Sequence, residues 1–281
     1  MLSTLFCLFL SASTLFGQAG ISKADLFVYR QIGEDSLKAY VFLPATKGKL
    51  RPAILLFHGG AWRLGDASWM FGRAKQLADS GIVAIAVDYR LANNGLSPVE
   101  GVDDACAAFA WVRNNAKKFG IDVKRVVGYG VSAGGHLVAA AATIPSINGA
   151  KIPYKSRPNA MLLFSPALNM AHDSYFDALM KDKGDPASYS PSEYISKKLP
   201  PTLIIQGEQD SIVYAKDAIA FRDAAVKAGA KCTLYVYPGV GHLLTRNIKI
   251  QYKDFDSDPA DIADAFKREN DFLRSIGYIG R

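Results

Sequence analysis

From residue 53 to the C-terminus, short apolar runs of strand length alternate with stretches of helical periodicity, and that rhythm leaves few folds open. The runs lie at 53–57, 82–87, 125–129, 160–164, 202–205 and 232–237. They read as strands covered on both faces, the pattern of a parallel sheet wrapped by helices. Helical spacing over 68–80, 100–119, 133–143, 214–229 and 259–275 supplies the cover, and Gly81 and Gly120 stand where a glycine ends a helix. Ahead of this core, 25–32 and 37–43 flank Gly33-Glu34-Asp35-Ser36 and are predicted as an antiparallel hairpin at one edge. The connection 166–200 differs: Pro166, Pro186, Pro191 and Pro200 among Asp, Lys, Ser and Tyr predict a surface excursion over the top of the sheet. The expected architecture is an α/β fold with a mostly parallel eight-stranded sheet and helices on both faces.

Composition fits one domain. The 281 residues are 49% apolar and 21% charged, enough for a large core, and that balance excludes disorder, collagen and a polytopic membrane protein. Lys+Arg 33 against Asp+Glu 26 gives +7, but the basic residues are scattered, with pairs such as Lys117-Lys118 and Lys197-Lys198 as the densest clusters, so no nucleic-acid stripe is expected. The first charged side chain is Lys23. Before it, Leu5-Phe6-Cys7-Leu8-Phe9-Leu10 forms an apolar run, and Gly17-Gln18-Ala19 places small residues where a signal peptidase cuts. Residues 1–19 are expected to be a signal peptide and 20–281 the mature catalytic domain, secreted or periplasmic and without stable membrane insertion after cleavage. The competing reading is an uncleaved anchor helix. In the mature chain Cys106 and Cys232 are expected to be unpaired thiols, and no Cys/His spacing reads as a zinc site.

The chemistry begins after the run 125–129, at Gly130-Val131-Ser132-Ala133-Gly134-Gly135, followed by a helix starting at His136. This is G-x-S-x-G between a strand and a helix. A serine on so sharp a turn needs neighbours without side chains, and the turn aims it at a helix N-terminus, where free N–H groups favour developing negative charge. A phosphate loop would want a Lys after the glycines, and none is present. Serine needs a base to be a nucleophile at neutral pH. Of four histidines, His242 lies in a loop just after the last strand, His136 is on the helix after Ser132, His172 is in the excursion, and His58 precedes two glycines. Asp210 sits where the run 202–205 gives out into a loop and is the expected partner of His242, with Glu208 as its rival. In His58-Gly59-Gly60-Ala61-Trp62, small residues let backbone N–H groups approach a carbonyl oxygen; Gly60, Ala61 and Ala133 are the expected oxyanion donors.

Together these motifs resemble the α/β-hydrolase superfamily, and within it the acetyl esterase/lipase group close to the hormone-sensitive-lipase-like carboxylesterases. The resemblance covers nearly all of 20–281. It runs through His58 to Trp62 with Gly65-Asp66, Asp88-Tyr89-Arg90-Leu91, the segment 130–136, Pro200-Pro201-Thr202 to Asp210, and Gly239 to His242. It implies a ping-pong ester hydrolase in which Ser132 is the nucleophile, His242 the base and Asp210 its orienting partner, with no metal or organic cofactor. Ala61 stands where a third glycine is usual and no long cap segment precedes the hairpin. Both departures point toward small secreted esterases that remove acetyl or feruloyl groups from plant polysaccharides such as xylan. Without a large cap the expected acyl group is short; Trp62 and Tyr89, with Trp69, are expected either to line the entrance, where a sugar ring stacks on such faces, or to be simply core. The sheet order implied also sets Cys106 far from Cys232. Two alternatives stand beside this reading: an arylformamidase-like amide hydrolase, which shares the His-Gly-Gly-x-Trp pattern, and a non-catalytic ligand binder of the same fold.

Overall fold

The computed structural model describes residues 24–45, 50–181 and 183–280. The expected signal peptide, 1–19, lies outside the described residues. Eight strands form the main sheet: β1 (Asp25–Ile32), β2 (Asp35–Phe42), β3 (Arg51–Phe57), β4 (Val83–Val87), β5 (Ile121–Val131), β6 (Ala160–Phe164), β7 (Thr202–Gly207) and β8 (Cys232–Tyr237). Their spatial order is β1-β2-β4-β3-β5-β6-β7-β8. β2 runs antiparallel to β1 and β4, and every other pairing is parallel. The β1–β2 hairpin turns on Gly33 and Glu34, and Gly33 takes φ +57, as a two-residue turn requires of its first position.

The unbroken apolar runs are explained by two cores, one on each face. Along β3, Ala53, Leu55 and Phe57 join one cluster and Ile54 and Leu56 the other. All five are fully buried, and each large one contributes about 1.5–3 kcal/mol. Helices α1 (Phe71–Asp79) and α6 (Pro259–Ser275) cover the second face, while α2 (Pro98–Asn114), α3 (Ala133–Thr143) and α5 (Ala215–Lys227) cover the first. Helix α4 (Ser174–Met180) lies in the excursion.

The differences from the sequence expectation have local causes. The stretch 100–119 is two pieces, α2 and a single turn at Ala116–Phe119, divided at Asn115. α2 starts two residues earlier than expected because Ser97 and Glu100 form a reciprocal capping box around Pro98. Gly81 and Gly120 do end helical segments, with φ +94 and +65. The excursion is not purely superficial: Asp173 caps α4, whose Phe176 and Met180 are buried against the first core. Cys106 and Cys232 are both free, and burial pushes each thiol up to about 12.

Candidate active site

Four loops leave the carboxyl ends of β3, β5, β7 and β8, and parallel strand direction brings them to one edge of the sheet. The structure gathers Ser132, Asp210 and His242 there, each under 9% exposed. Ser132 Oγ lies 3.0 Å from His242 Nε2, and His242 Nδ1 lies 2.8 Å from Asp210 Oδ2. With the Nδ1 proton donated to Asp210, Nε2 is left as the acceptor for the serine hydroxyl.

Ser132 takes φ +52 and ψ −116, a strained elbow between β5 and α3. Its neighbours must be glycine: a Cβ on Gly130 would lie 2.4 Å from Gly134 O, one on Gly134 2.2 Å from Phe57 O, and one on Gly135 2.7 Å from Pro166 Cβ. A Cβ on Gly59 would meet Ser132 Cβ and Val131 O, both at 3.3 Å, so the His58–Trp62 loop passes directly beside the elbow. Gly60, with φ +113, accepts from the N–H of Arg63 and Leu64, while its own N–H and those of Ala61 and Ala133 donate to no acceptor among the described residues. Ala133 follows Ser132 in the chain, and Gly60 and Ala61 line the same cavity as Ser132.

Asp210 is held from both sides. Its Oδ1 accepts from the N–H of Ile212 and Val213, each at 2.9 Å, and its Oδ2 accepts from Gln206 Nε2 at 2.9 Å as well as from His242. Gln206 was not singled out by the sequence. It ends an apolar run at zero exposure, which is the one trace that could have marked it. The rival carboxylate Glu208 is exposed and accepts from Gly239 N–H, capping the loop that carries His242.

The remaining histidines do other work. His58 Nδ1 donates to Gly59 O at 2.6 Å, and burial lowers its pKa to about 4. His136 donates from Nε2 to Tyr189 O at 2.8 Å and accepts the Trp62 indole N–H at Nδ1; burial takes it to about 4 as well. His172 is exposed in the excursion.

A cavity of about 350 Å³ opens above Ser132. Its wall is mostly apolar, built by Trp62, Trp69, Met70, Leu243, Tyr252 and Phe255, with Asp173 as the one Asp, Glu, Lys or Arg in the lining among the described residues. Trp62 is both wall and core, since its indole packs edge-on to Phe176 and His136. Tyr89 does not line this cavity and corrects the expectation for it. Its ring stacks on His58 at 4.3 Å and its hydroxyl donates to His58 O at 2.9 Å, so it braces the loop from behind. Tyr175, from the excursion, takes the place at the wall and donates to Ala61 O at 3.4 Å.

Residues 54–246 match the family model of the alpha/beta hydrolase fold. The chain is an α/β-hydrolase. Among curated relatives of this α/β-hydrolase, an isoprenylcysteine alpha-carbonyl methylesterase of Arabidopsis thaliana is 27% identical over 225 residues, 72% of this chain and 52% of the relative. An arylesterase of Saccharolobus solfataricus is 28% identical over 188 residues, 60% of this chain and 61% of the relative. The chain spans about half the length of the methylesterases it matches. Among solved structures, a thermophilic esterase of Thermogutta terrifontis superposes with a TM-score of 0.82 at 28% identity, covering 93% of this chain and 95% of that one. The same esterase has also been solved with propionate and with butyrate bound.

Proposed function

We propose that this α/β-hydrolase is a serine carboxylesterase for short-chain acyl esters, working through an acyl-enzyme. The observation that carries the reading is the continuous chain from Asp210 through His242 to Ser132, which opens onto an apolar cavity also lined by Gly60 and Ala61, whose N–H groups are unpaired. His242 Nε2 takes the Ser132 hydroxyl proton as Oγ attacks the ester carbonyl carbon. The oxyanion rests on the N–H groups of Gly60, Ala61 and Ala133. The bond to the alcohol oxygen then breaks, and His242 returns its proton to that oxygen. Water repeats the sequence on the acyl-serine and releases the acid, while Asp210 orients the imidazole and stabilises its cation.

The short acyl group is supported by the propionate and butyrate bound to the T. terrifontis esterase. For the alcohol side we propose acetylated or feruloylated plant polysaccharide such as xylan. The support is the exposed aromatic faces of Tyr175 and Tyr252 at the cavity mouth, where a sugar ring can stack. The apolar wall beneath them has few partners for sugar hydroxyls. Export through residues 1–19 completes the proposal, resting on their lack of charged side chains and the small residues before Gly20.

Rates on p-nitrophenyl acetate, p-nitrophenyl octanoate, methyl ferulate and acetylated xylan test the substrate. Acetate faster than octanoate is expected, and the reverse order refutes the short acyl group. Activity surviving in Ser132→Ala refutes the mechanism. N-terminal sequencing of exported protein should begin at Gly20, and an intact Met1 refutes cleavage.

A further inference from the structure

Gln251 is 2% exposed and sits in the segment 246–258 that leads from the His242 loop to α6. Its side-chain amide uses its whole hydrogen-bonding capacity. Oε1 accepts from the N–H of His242 at 2.8 Å and of Ser211 at 3.1 Å, and Nε2 donates to the carbonyls of Gln209 and Ile248, both at 3.0 Å. Two N–H groups on one side and two C=O groups on the other leave one orientation for the amide. Ser211 and Gln209 flank Asp210, so one side chain grips the acid on both sides in sequence and the base at its own backbone.

Two further features show that the loop is built around this amide. A Cβ on Gly241 would lie 2.6 Å from Gln251 Oε1, so the glycine before His242 leaves the space the amide fills. Leu243 and Leu244, just after His242, both take left-handed backbone at φ +55 and +59, a conformation that persists only where the surroundings hold it. Gln209 N–H already joins the two loops upstream, through Val240 O at 2.9 Å. Gln251 adds the contact at His242 itself. The same segment supplies Tyr252 and Phe255 to the cavity wall, with the Phe255 ring edge-on to the imidazole at 6.0 Å.

We propose that Gln251 is a positioning residue: it holds the Asp210 and His242 loops in register and ties the cavity wall at Tyr252 and Phe255 to the placement of the imidazole. The proposal rests on the triad reading given above. Its effect falls on turnover, because an imidazole displaced by a fraction of an ångström loses its line to Ser132 while the pocket still accepts substrate.

The test compares Gln251→Met, of similar length without polar atoms, and Gln251→Glu, which keeps the acceptor, with wild type on p-nitrophenyl acetate, each checked for folding by its melting curve. For Gln251→Met, kcat is expected to fall about 10- to 100-fold with KM within about threefold. Gln251→Glu is expected to regain part of its loss, relative to wild type, as pH falls from about 8 to 6, because its protonated carboxyl again donates a hydrogen bond. A folded Gln251→Met with kcat within twofold of wild type overturns the proposal. Where Gln251→Met does not fold, a pH-independent ratio of Gln251→Glu to wild type overturns it. Ser132→Ala, run alongside, separates the two failures: activity surviving there refutes the esterase reading, whereas loss there with an unaffected Gln251→Met refutes only the role of Gln251.

Discussion

The Trp62 indole N–H donates to Nδ1 of His136 at 3.1 Å, tying the cavity wall to the helix that follows Ser132. That bond needs a lone pair on Nδ1, and a protonated imidazole has none.

Stability should therefore depend on pH through buried neutral histidines. His58 and His136 are both lowered to about 4 by burial, below 6.5. Between those values the unfolded chain binds more protons than the folded one. The stabilisation is thus complete above about pH 6.5 and is lost as pH falls toward 4, by up to about 1.4 kcal/mol per pH unit for each imidazole. Burial raises the Glu269 carboxyl and gives the opposite slope, but it does so equally in any His136 variant. His136→Gln should show a clearly smaller loss of Tm between about pH 7 and pH 5 than wild type. An unchanged loss would mean that His136 is not held neutral.

Strain at the elbow offers a second outcome. Glycine adopts the Ser132 backbone angles without steric cost, so Ser132→Gly should raise the unfolding free energy by about 1 kcal/mol. The same change should lower kcat/KM by a factor on the order of 10⁴ to 10⁶. Urea denaturation and esterase assays on one preparation check both signs.

Gly60 should tolerate no side chain. A Cβ there would come within 2.1 Å of Leu64 O, so the backbone that carries the proposed oxyanion donor would have to move. Gly60→Ala is expected to cut kcat by about 10²–10³ through loss of that donor. A kcat within fivefold of wild type would remove Gly60 from the oxyanion site.

Away from the site, Arg73 and Glu269 form an ion pair at 2.6 Å with both side chains about 2% exposed, and Tyr129 donates to the same carboxylate at 3.0 Å. Glu269→Leu alone leaves a buried guanidinium without its partner and should cost about 3–5 kcal/mol. The double change Arg73→Met with Glu269→Leu should cost less than that single change. Denaturation midpoints of the three proteins decide it.

The strands were legible because burial on both faces writes every position of a run apolar, and Ser132 was legible because a sharp elbow demands glycines at set spacing. Asp210 and His242 followed from where runs end in loops. The helix in the excursion was not legible: seven residues give too little periodicity, and Asp173 as a cap looks like any other loop aspartate. Tyr89 was misplaced because a motif fixes a residue's neighbours in sequence and not the direction of its side chain, which here turns back onto His58. Gln206 and Gln251 escaped for a related reason. Their partners lie on loops that only the folded sheet brings together, and an isolated glutamine carries no spacing to read.

The buried Cys106 and the half-buried Cys232 have a practical side. With both held near pKa 12, Cys106 and Cys232 present almost no thiolate at neutral pH. A cysteine introduced at an exposed position of the described residues would react with maleimide far ahead of either. A dye on the cavity rim could then report substrate entry by fluorescence with Cys106 and Cys232 left in place.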